Sequence, residues 1–168
     1  LAQCGERVLL VEKRHLGAGA SGAAAGLQEV VWTPRSEFQK GMAASYAGYP
    51  AFIDELVNET GKPIEFARTG SLHLGDSDEA EGRLRTRLEK LQRDGAPVRW
   101  LDQSALRERL GSCSAALRGG LFNEEARRIH PPDLLHALRS SLELRGVEVI
   151  ENLERVHLVA GEGGPRVE

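Results

Sequence analysis

Cysteine is scarce in this chain: only Cys4 and Cys113 occur in 168 residues. They fit no metal-ligand spacing, and two isolated thiols read as reduced and cytoplasmic. Long apolar runs are missing too. No segment approaches the ~18 to 20 continuous apolar residues of a membrane span, so no membrane span is expected. An excess of basic charge is also lacking. The net charge is −3, which gives a nucleic-acid partner no electrostatic support. No internal repeat, no low-complexity tail, and no Ser/His/Asp or zinc-like arrangement stands out. What remains is ordinary globular usage, with 40% hydrophobic and 28% charged residues, in a chain long enough for a real core.

Against that plain background one stretch is distinctive. Val8-Leu9-Leu10-Val11 is a continuous apolar run ending in Glu12, and Gly17-Ala18-Gly19-Ala20-Ser21-Gly22-Ala23-Ala24-Ala25-Gly26-Leu27 follows. A dinucleotide-binding fold presents its second strand this way. The carboxylate at the strand tip takes a ribose hydroxyl pair, and small residues let the backbone approach a phosphate or a flat ring. The G-x-G-x-x-G turn that belongs about 20 residues before such an acid is not present. Leu1 to Arg7 reads as the last turn of a helix, a Gly5 terminator and the entry to the strand. The expectation is an internal piece of a longer protein. For Glu12 a plain surface charge is the competing reading. For Ser21 it is a loop serine bonding its own backbone. A run too small to pack a core costs conformational entropy, and a nearby ligand is the economical reason for it.

The rest of the chain alternates helix and strand signals. A helix is expected from Glu37 to Gly61, with a broad apolar face through Tyr46, Phe52, Ile53 and Leu56; Pro50 should kink or split it. Ile64–Ala67 and Ser71–Leu74 alternate around Thr69-Gly70 and predict a hairpin with His73 on its solvated face. Asp76–Arg93 reads as a helix whose Leu84, Leu88 and Leu91 form a packing stripe, with acids in its first turns. Val98–Leu101 is a strand, and Asp102 caps a helix through Leu110. Ala116–Asn123 is a strand, and Arg127 and Arg128 flank a strand end. Pro131-Pro132 opens a helix through Leu144, closed by Gly146; His130 before it reads as a cap or a packing residue. Val147–Ile150 and Val156–Val159 are strands. Apolar strands joined through helices predict one parallel sheet holding Val8–Val11 and Val147–Ile150, with a separate antiparallel layer from Ile64 to Asn123. The fold class is α/β, α+β overall, in two domains of which the first is discontinuous.

Val11-Glu12-Lys13 with the run from Gly19 to Leu27 resembles the flavin-binding segment of the D-amino-acid oxidase family, and within it glycine oxidases and related amine-oxidising flavoenzymes. The resemblance continues through Tyr49-Pro50-Ala51-Phe52, Glu55-Leu56, Thr60-Gly61, Thr69-Gly70-Ser71-Leu72, Arg128-Ile129-His130-Pro131 and Gly146-Val147. It implies a partial Rossmann-like FAD-binding domain over 1–61 and 129–168. It also implies an inserted, mainly antiparallel substrate domain over 62–128. The implied cofactor is FAD. Glu12 would hold the adenosine ribose, with Lys13 and Arg14 beside the adenosine. Ser21 would contact the pyrophosphate or ribityl chain. Ala25, Gly26 and Leu27 would line the flavin ring, and the Val156 backbone would meet the adenine. The implied activity is hydride transfer from a small amino-acid or amine substrate to flavin. Two alternatives stay open: a dehydrogenase passing electrons to an acceptor other than oxygen, and a fragment unable to hold FAD. The family's substrate-binding arginine and tyrosine have no counterpart placed here, so the catalytic residues are unknown, and a homo-oligomer is left open. Gln28-Glu29-Val30-Val31 departs from the more apolar run of some relatives, in a loop that lies near the flavin in the family.

Overall fold

The computed structural model describes residues 1–153, 155, 157–161 and 164–167. The chain divides into two compact units. The first comprises Leu1–Ala25, Ile53–Ile64 and His130–Glu168, and the second Gly26–Phe52 and Glu65–Ile129.

In the first unit a short 3-10 turn, Ala2–Cys4, ends at Gly5 and leads into β1 (Leu9–Val11). The helix α4 (Pro131–Leu144) leads into β8 (Glu148–Ile150), which pairs in parallel with β1, Leu10 opposite Val149. The parallel pairing expected from the two apolar runs is present. It extends past the strand ends: the Glu12 N–H donates to Ile150 O at 2.9 Å and the Asn152 N–H to Arg14 O at 2.8 Å. Ion pairs tie the helices of this unit. Glu59 takes Arg145 at 2.8 Å and the Ser141 hydroxyl at 2.8 Å, and Glu151 takes Arg139 at 2.9 Å. The last strands, β9 (Leu158–Gly161) and β10 (Gly164–Val167), form an antiparallel pair.

The second unit holds two three-stranded antiparallel sheets. One has the order β2 (Leu27–Gln28), β7 (Arg127–Ile129), β3 (Phe66–Arg68); the other β4 (Ser71–Gly75), β6 (Gly119–Asn123), β5 (Val98–Asp102). The central strand β6 is buried along its whole length. Its side chains alternate between faces, as a pleated strand requires. Leu121 joins Leu88, Ala96 and Val98, with Leu84 and Leu91 of α2 (Asp78–Arg93) packed on them. Phe122 joins Leu101 and Leu106, the latter from α3 (Gln103–Leu110). The leucine stripe of α2 is therefore core, as its spacing predicts. Both helices carry side-chain N-caps: the Ser77 hydroxyl accepts the Ala80 N–H and the Asp102 carboxylate the Ala105 N–H.

Three expectations change, and a fourth is narrowed. The hairpin around Thr69-Gly70 does not form: β3 pairs with β7 and β4 with β6, so the two strands lie in different sheets. The turn explains why. Gly70 adopts φ +73° and gives its N–H to Ala126 O at 2.9 Å, and the Phe122 ring lies 2.5 Å from where a Cβ would stand. The backbone is thus committed to the segment after β6 and not to a two-strand ladder. His73 does not lie on a solvated face. It is half-buried and bonded to Glu29. Arg127 and Arg128 belong to a strand, β7, and do not flank one. The fourth expectation, a kink or a split at Pro50, loses the split. The chain forms one helix, α1 (Glu37–Thr60), which runs through Pro50 unsplit.

Proline at position 50 supplies no N–H, so the Tyr46 carbonyl four residues earlier loses its helical donor. Arg127 of β7 replaces it. Its guanidinium donates to Tyr46 O at 2.6 Å and stacks 3.7 Å from the centroid of the Tyr46 ring. The Tyr46 hydroxyl in turn donates to the Glu125 carbonyl.

Candidate functional site

In the first unit, β1 delivers Glu12 to the sheet's end. Its backbone is fixed by pairing with Ile150, and one carboxylate oxygen accepts the Arg14 N–H at 2.9 Å. The other oxygen has no hydrogen-bond partner among the described residues. Arg14 reaches along the following loop, donating to Ala18 O at 2.6 Å, and both it and Lys13 are exposed. The loop is anchored at its start, where the Leu16 N–H donates to Glu151 at 2.7 Å. It then winds through consecutive turns from Leu16 to Ala23. At Gly22 a Cβ would stand 2.1 Å from the Gly17 carbonyl oxygen, so any side chain there would force this turn open. The small residues are therefore partly a requirement of the loop's own close packing. Ser21 is exposed, and its hydroxyl makes no hydrogen bond among the described residues; it does not bond its own backbone. Ala25 is exposed.

Gly26 and Leu27 open the second unit. Gly26 adopts φ +73° and accepts the Ile129 N–H at 2.9 Å. That left-handed backbone favours glycine whatever lies in front of it. Leu27 is 52% exposed although it is a large apolar residue in a strand. Val156 lies outside the described residues.

Two features of the second unit were not singled out as a site from the sequence. The first is a cleft of about 560 Å³ lined by Leu27, Gln28 and Glu29 on one side and by Phe38, Met42 and Tyr46 of α1 on the other. The second is a polar cluster on its wall. Glu29 Oε1 accepts the Ser71 hydroxyl at 2.6 Å and pairs with His73 Nε2 at 2.9 Å, while Oε2 takes Arg87 at 3.2 Å. Partial burial pushes the Glu29 carboxyl up. The hydrogen bonds from Ser71 and His73, with the charges of His73 and Arg87, outweigh it and hold the group below the ordinary carboxylate value. The sequence did carry one signal: an acid two residues after the end of the small-residue run at Leu27. Its three partners come from β4 and α2, which sequence spacing does not bring together. Burial raises the phenols of Tyr46 and Tyr49, so both stay protonated donors at neutral pH.

Among the described residues, no group of three or more His, Cys, Asp or Glu side chains could hold a metal, and both cysteines are free. No described helix is long and apolar enough to cross a membrane. The groups expected to meet FAD suit it chemically. The Glu12 carboxylate has an uncommitted oxygen for a ribose hydroxyl, the Ser21 hydroxyl is free, and the loop between them presents mainly backbone and methyl groups.

The whole chain, residues 1–168, matches the DAO family of FAD dependent oxidoreductases. It is 29% identical over 157 residues to a glycine oxidase of Geobacillus kaustophilus, a match covering 92% of this chain and 42% of that protein. The crystal structure of glycine oxidase from the same organism superposes with a TM-score of 0.82 at 27% identity, covering 98% of this chain and 47% of that one. Glycine oxidase from Bacillus cereus gives a TM-score of 0.82 at 22% identity over 98% and 47%. NikD, an amino acid oxidase of nikkomycin biosynthesis, shares the fold with a TM-score of 0.72 at 19% identity, covering 99% of this chain and 42% of that one. The chain spans less than half the length of these relatives.

Proposed function

Because the chain belongs to the DAO family of FAD dependent oxidoreductases, we propose that the protein oxidises the C–N bond of a small amino acid or amine, as a glycine oxidase does. The observation that carries the substrate class is the similarity to a glycine oxidase over 92% of the chain. Glu12 binds the adenosine ribose through its uncommitted oxygen, with Lys13 and Arg14 beside the adenosine. Ser21 donates to the pyrophosphate or ribityl chain. Ala25, Gly26 and Leu27 present backbone to the ring, where N–H groups stabilise negative charge.

FAD, when bound, supplies the acceptor for the hydride on the carbon beside the amine nitrogen. The amine must be neutral to release that hydride, so its nitrogen sheds its extra proton first. The resulting imine takes up water and gives a carbonyl compound and ammonia or a smaller amine. The two electrons leave to oxygen or another acceptor. The free thiols suit a cytoplasmic setting.

The test is anaerobic mixing of the FAD-loaded protein with glycine, N-methylglycine and alanine. Bleaching of the flavin absorbance is expected, followed by recovery when air is admitted. Bleaching without recovery in air would assign a dehydrogenase. No bleaching by any amine would overturn the reading.

A further inference from the structure

The strand β2 meets β7 at two positions only, Leu27 opposite Arg128 and Gln28 opposite Arg127. That is shorter than strands usually are, and it holds the chain at few points. Glu29 follows at once. Its side chain crosses from the sheet of β2, β7 and β3 to the other sheet. Ser71 and His73, which meet Oε1 at 2.6 and 2.9 Å, stand two residues apart on β4 and so share one face of it. Arg87, 3.2 Å from Oε2, comes from α2. These donors stand on the firm part of the unit. β4 pairs with β6 over five residues, and α2 packs its leucines on the core that holds Leu121. Hydrogen bonds to an ionised group are shorter and stronger than neutral ones, so both oxygens are closely held. An apolar side chain would join the two sheets without the cost of partly burying a charge. What the carboxylate adds is a fixed length and direction.

We infer that Glu29 is a positioning residue: it ties the chain after β2 to β4 and α2, and so sets where the backbone of residues 26–28 stands. Gly26 and Leu27 belong to the run assigned above to the flavin ring, so this role rests on that reading and deepens it. Glu29 acts through the backbone that precedes it, its own hydrogen bonds all being internal.

Three substitutions separate length from charge. Glu29→Asp keeps the charge but is one methylene too short. Glu29→Gln keeps the length and an acceptor for Ser71 and His73 but has no charge. Glu29→Ala has neither. Each FAD-loaded variant is compared with the parent by two readouts. One is the visible circular dichroism of the bound flavin. The other is kcat and KM, taken separately, with whichever of glycine, N-methylglycine and alanine reduces the parent best. Glu29→Ala and Glu29→Asp should change the dichroism and lower kcat about tenfold with KM within about threefold, since a misplacement of about 1 Å can cost more than that. Glu29→Gln should recover most of both. Val98→Ala, which thins the core of the same unit, controls for lost stability and should leave both readouts at the parent's values. If Glu29→Ala does not fold, Ser71→Ala removes one donor alone and should move the dichroism in the direction of Glu29→Asp, by less. Parent-like dichroism in Glu29→Asp and Ser71→Ala overturns the inference, as do changes no larger than those of Val98→Ala. Glu29→Gln as far from the parent as Glu29→Asp also overturns it, because charge and not placement would then be what matters. A parent flavin that no amine reduces overturns the amine-oxidising reading, and the dichroism then decides the positioning role by itself.

Discussion

A single carboxylate can be held by its backbone and still be free to bind, and Glu12 is the case in point. Its N–H is committed to Ile150 and one oxygen to Arg14, yet the second oxygen has no hydrogen-bond partner among the described residues. Glu12→Ala should weaken FAD binding by roughly 1 to 3 kcal/mol, the range of a charge-assisted hydrogen bond, with little change in the melting temperature. Titration of the apoprotein with FAD checks this, and unchanged affinity would make Glu12 a surface charge. Glu29 is the opposite case, because its hydrogen bonds are all internal. Glu29→Gln should cost about 1 kcal/mol of stability in urea unfolding: three polar contacts weaken, but the half-exposed site is screened by water. Gly26 warns against reading one cause into one residue. Its φ of +73° means that Gly26→Val would cost roughly 1 to 2 kcal/mol of backbone strain before any effect on a ring in front of it. Glycine was legible at this position, but the sequence alone pointed to a ligand and not to the backbone angle.

At the scale of the element, α1 shows how a long-range contact overrides a local rule. The rule that proline breaks a helix rests on an orphaned carbonyl and a ring clash. Here the orphan, Tyr46 O, is met by Arg127 from a strand 81 residues away in sequence. A double-mutant cycle tests this pairing. Arg127→Met should destabilise the native chain by about 1.5 to 3 kcal/mol, the cost of stripping a charged donor from a partly buried carbonyl. In the Pro50→Ala background the helix regains its own N–H donor, so the same change should cost at least about 0.5 kcal/mol less. Strict additivity would show that Arg127 acts through its ring contact alone. The elements that were legible are those with local signals: the capped helices α2 and α3, the proline-opened α4, and the apolar strands β1 and β8. The strands β2 and β7 were not legible, because Leu27-Gln28 and Arg127-Arg128-Ile129 are too short and too polar to show a period. The hairpin was misread for a related reason. Two alternating runs around Thr69-Gly70 look like partners, and only the distant strands β6 and β7 reveal that each pairs elsewhere.

Over the whole molecule, acid sensitivity follows from three carboxylates, one in the second unit and two in the first. All three are held below the ordinary value of 4.5. For Glu29, burial opposes ionisation but Ser71, His73 and Arg87 outweigh it. For Glu59 the cause is the Ser141 hydroxyl, then Arg145; for Glu151 it is first the Leu16 N–H, then, against the opposing effect of burial, Arg139. A folded-state value below the unfolded one favours the ionised, folded form. The stabilisation is fully present above the unfolded value near 4.5 and is lost as pH falls through the lower folded values. Stability should therefore be insensitive to these groups from pH 7 to about 5.5 and fall steeply below 4.5. The two units can be followed separately. Trp32 and Trp100 both belong to the second unit, so tryptophan emission reports that unit. Glu151 instead anchors the start of the small-residue loop in the first unit, so release of FAD reports the loop. Glu29→Gln should flatten the acid transition seen by tryptophan and leave acid release of FAD in place. Glu151→Gln should do the reverse, because the amide keeps an acceptor for Leu16 but no longer changes charge with pH. If instead Glu29→Gln flattened FAD release and Glu151→Gln flattened the tryptophan signal, the assignment of these carboxylates as local supports of their own units would be wrong.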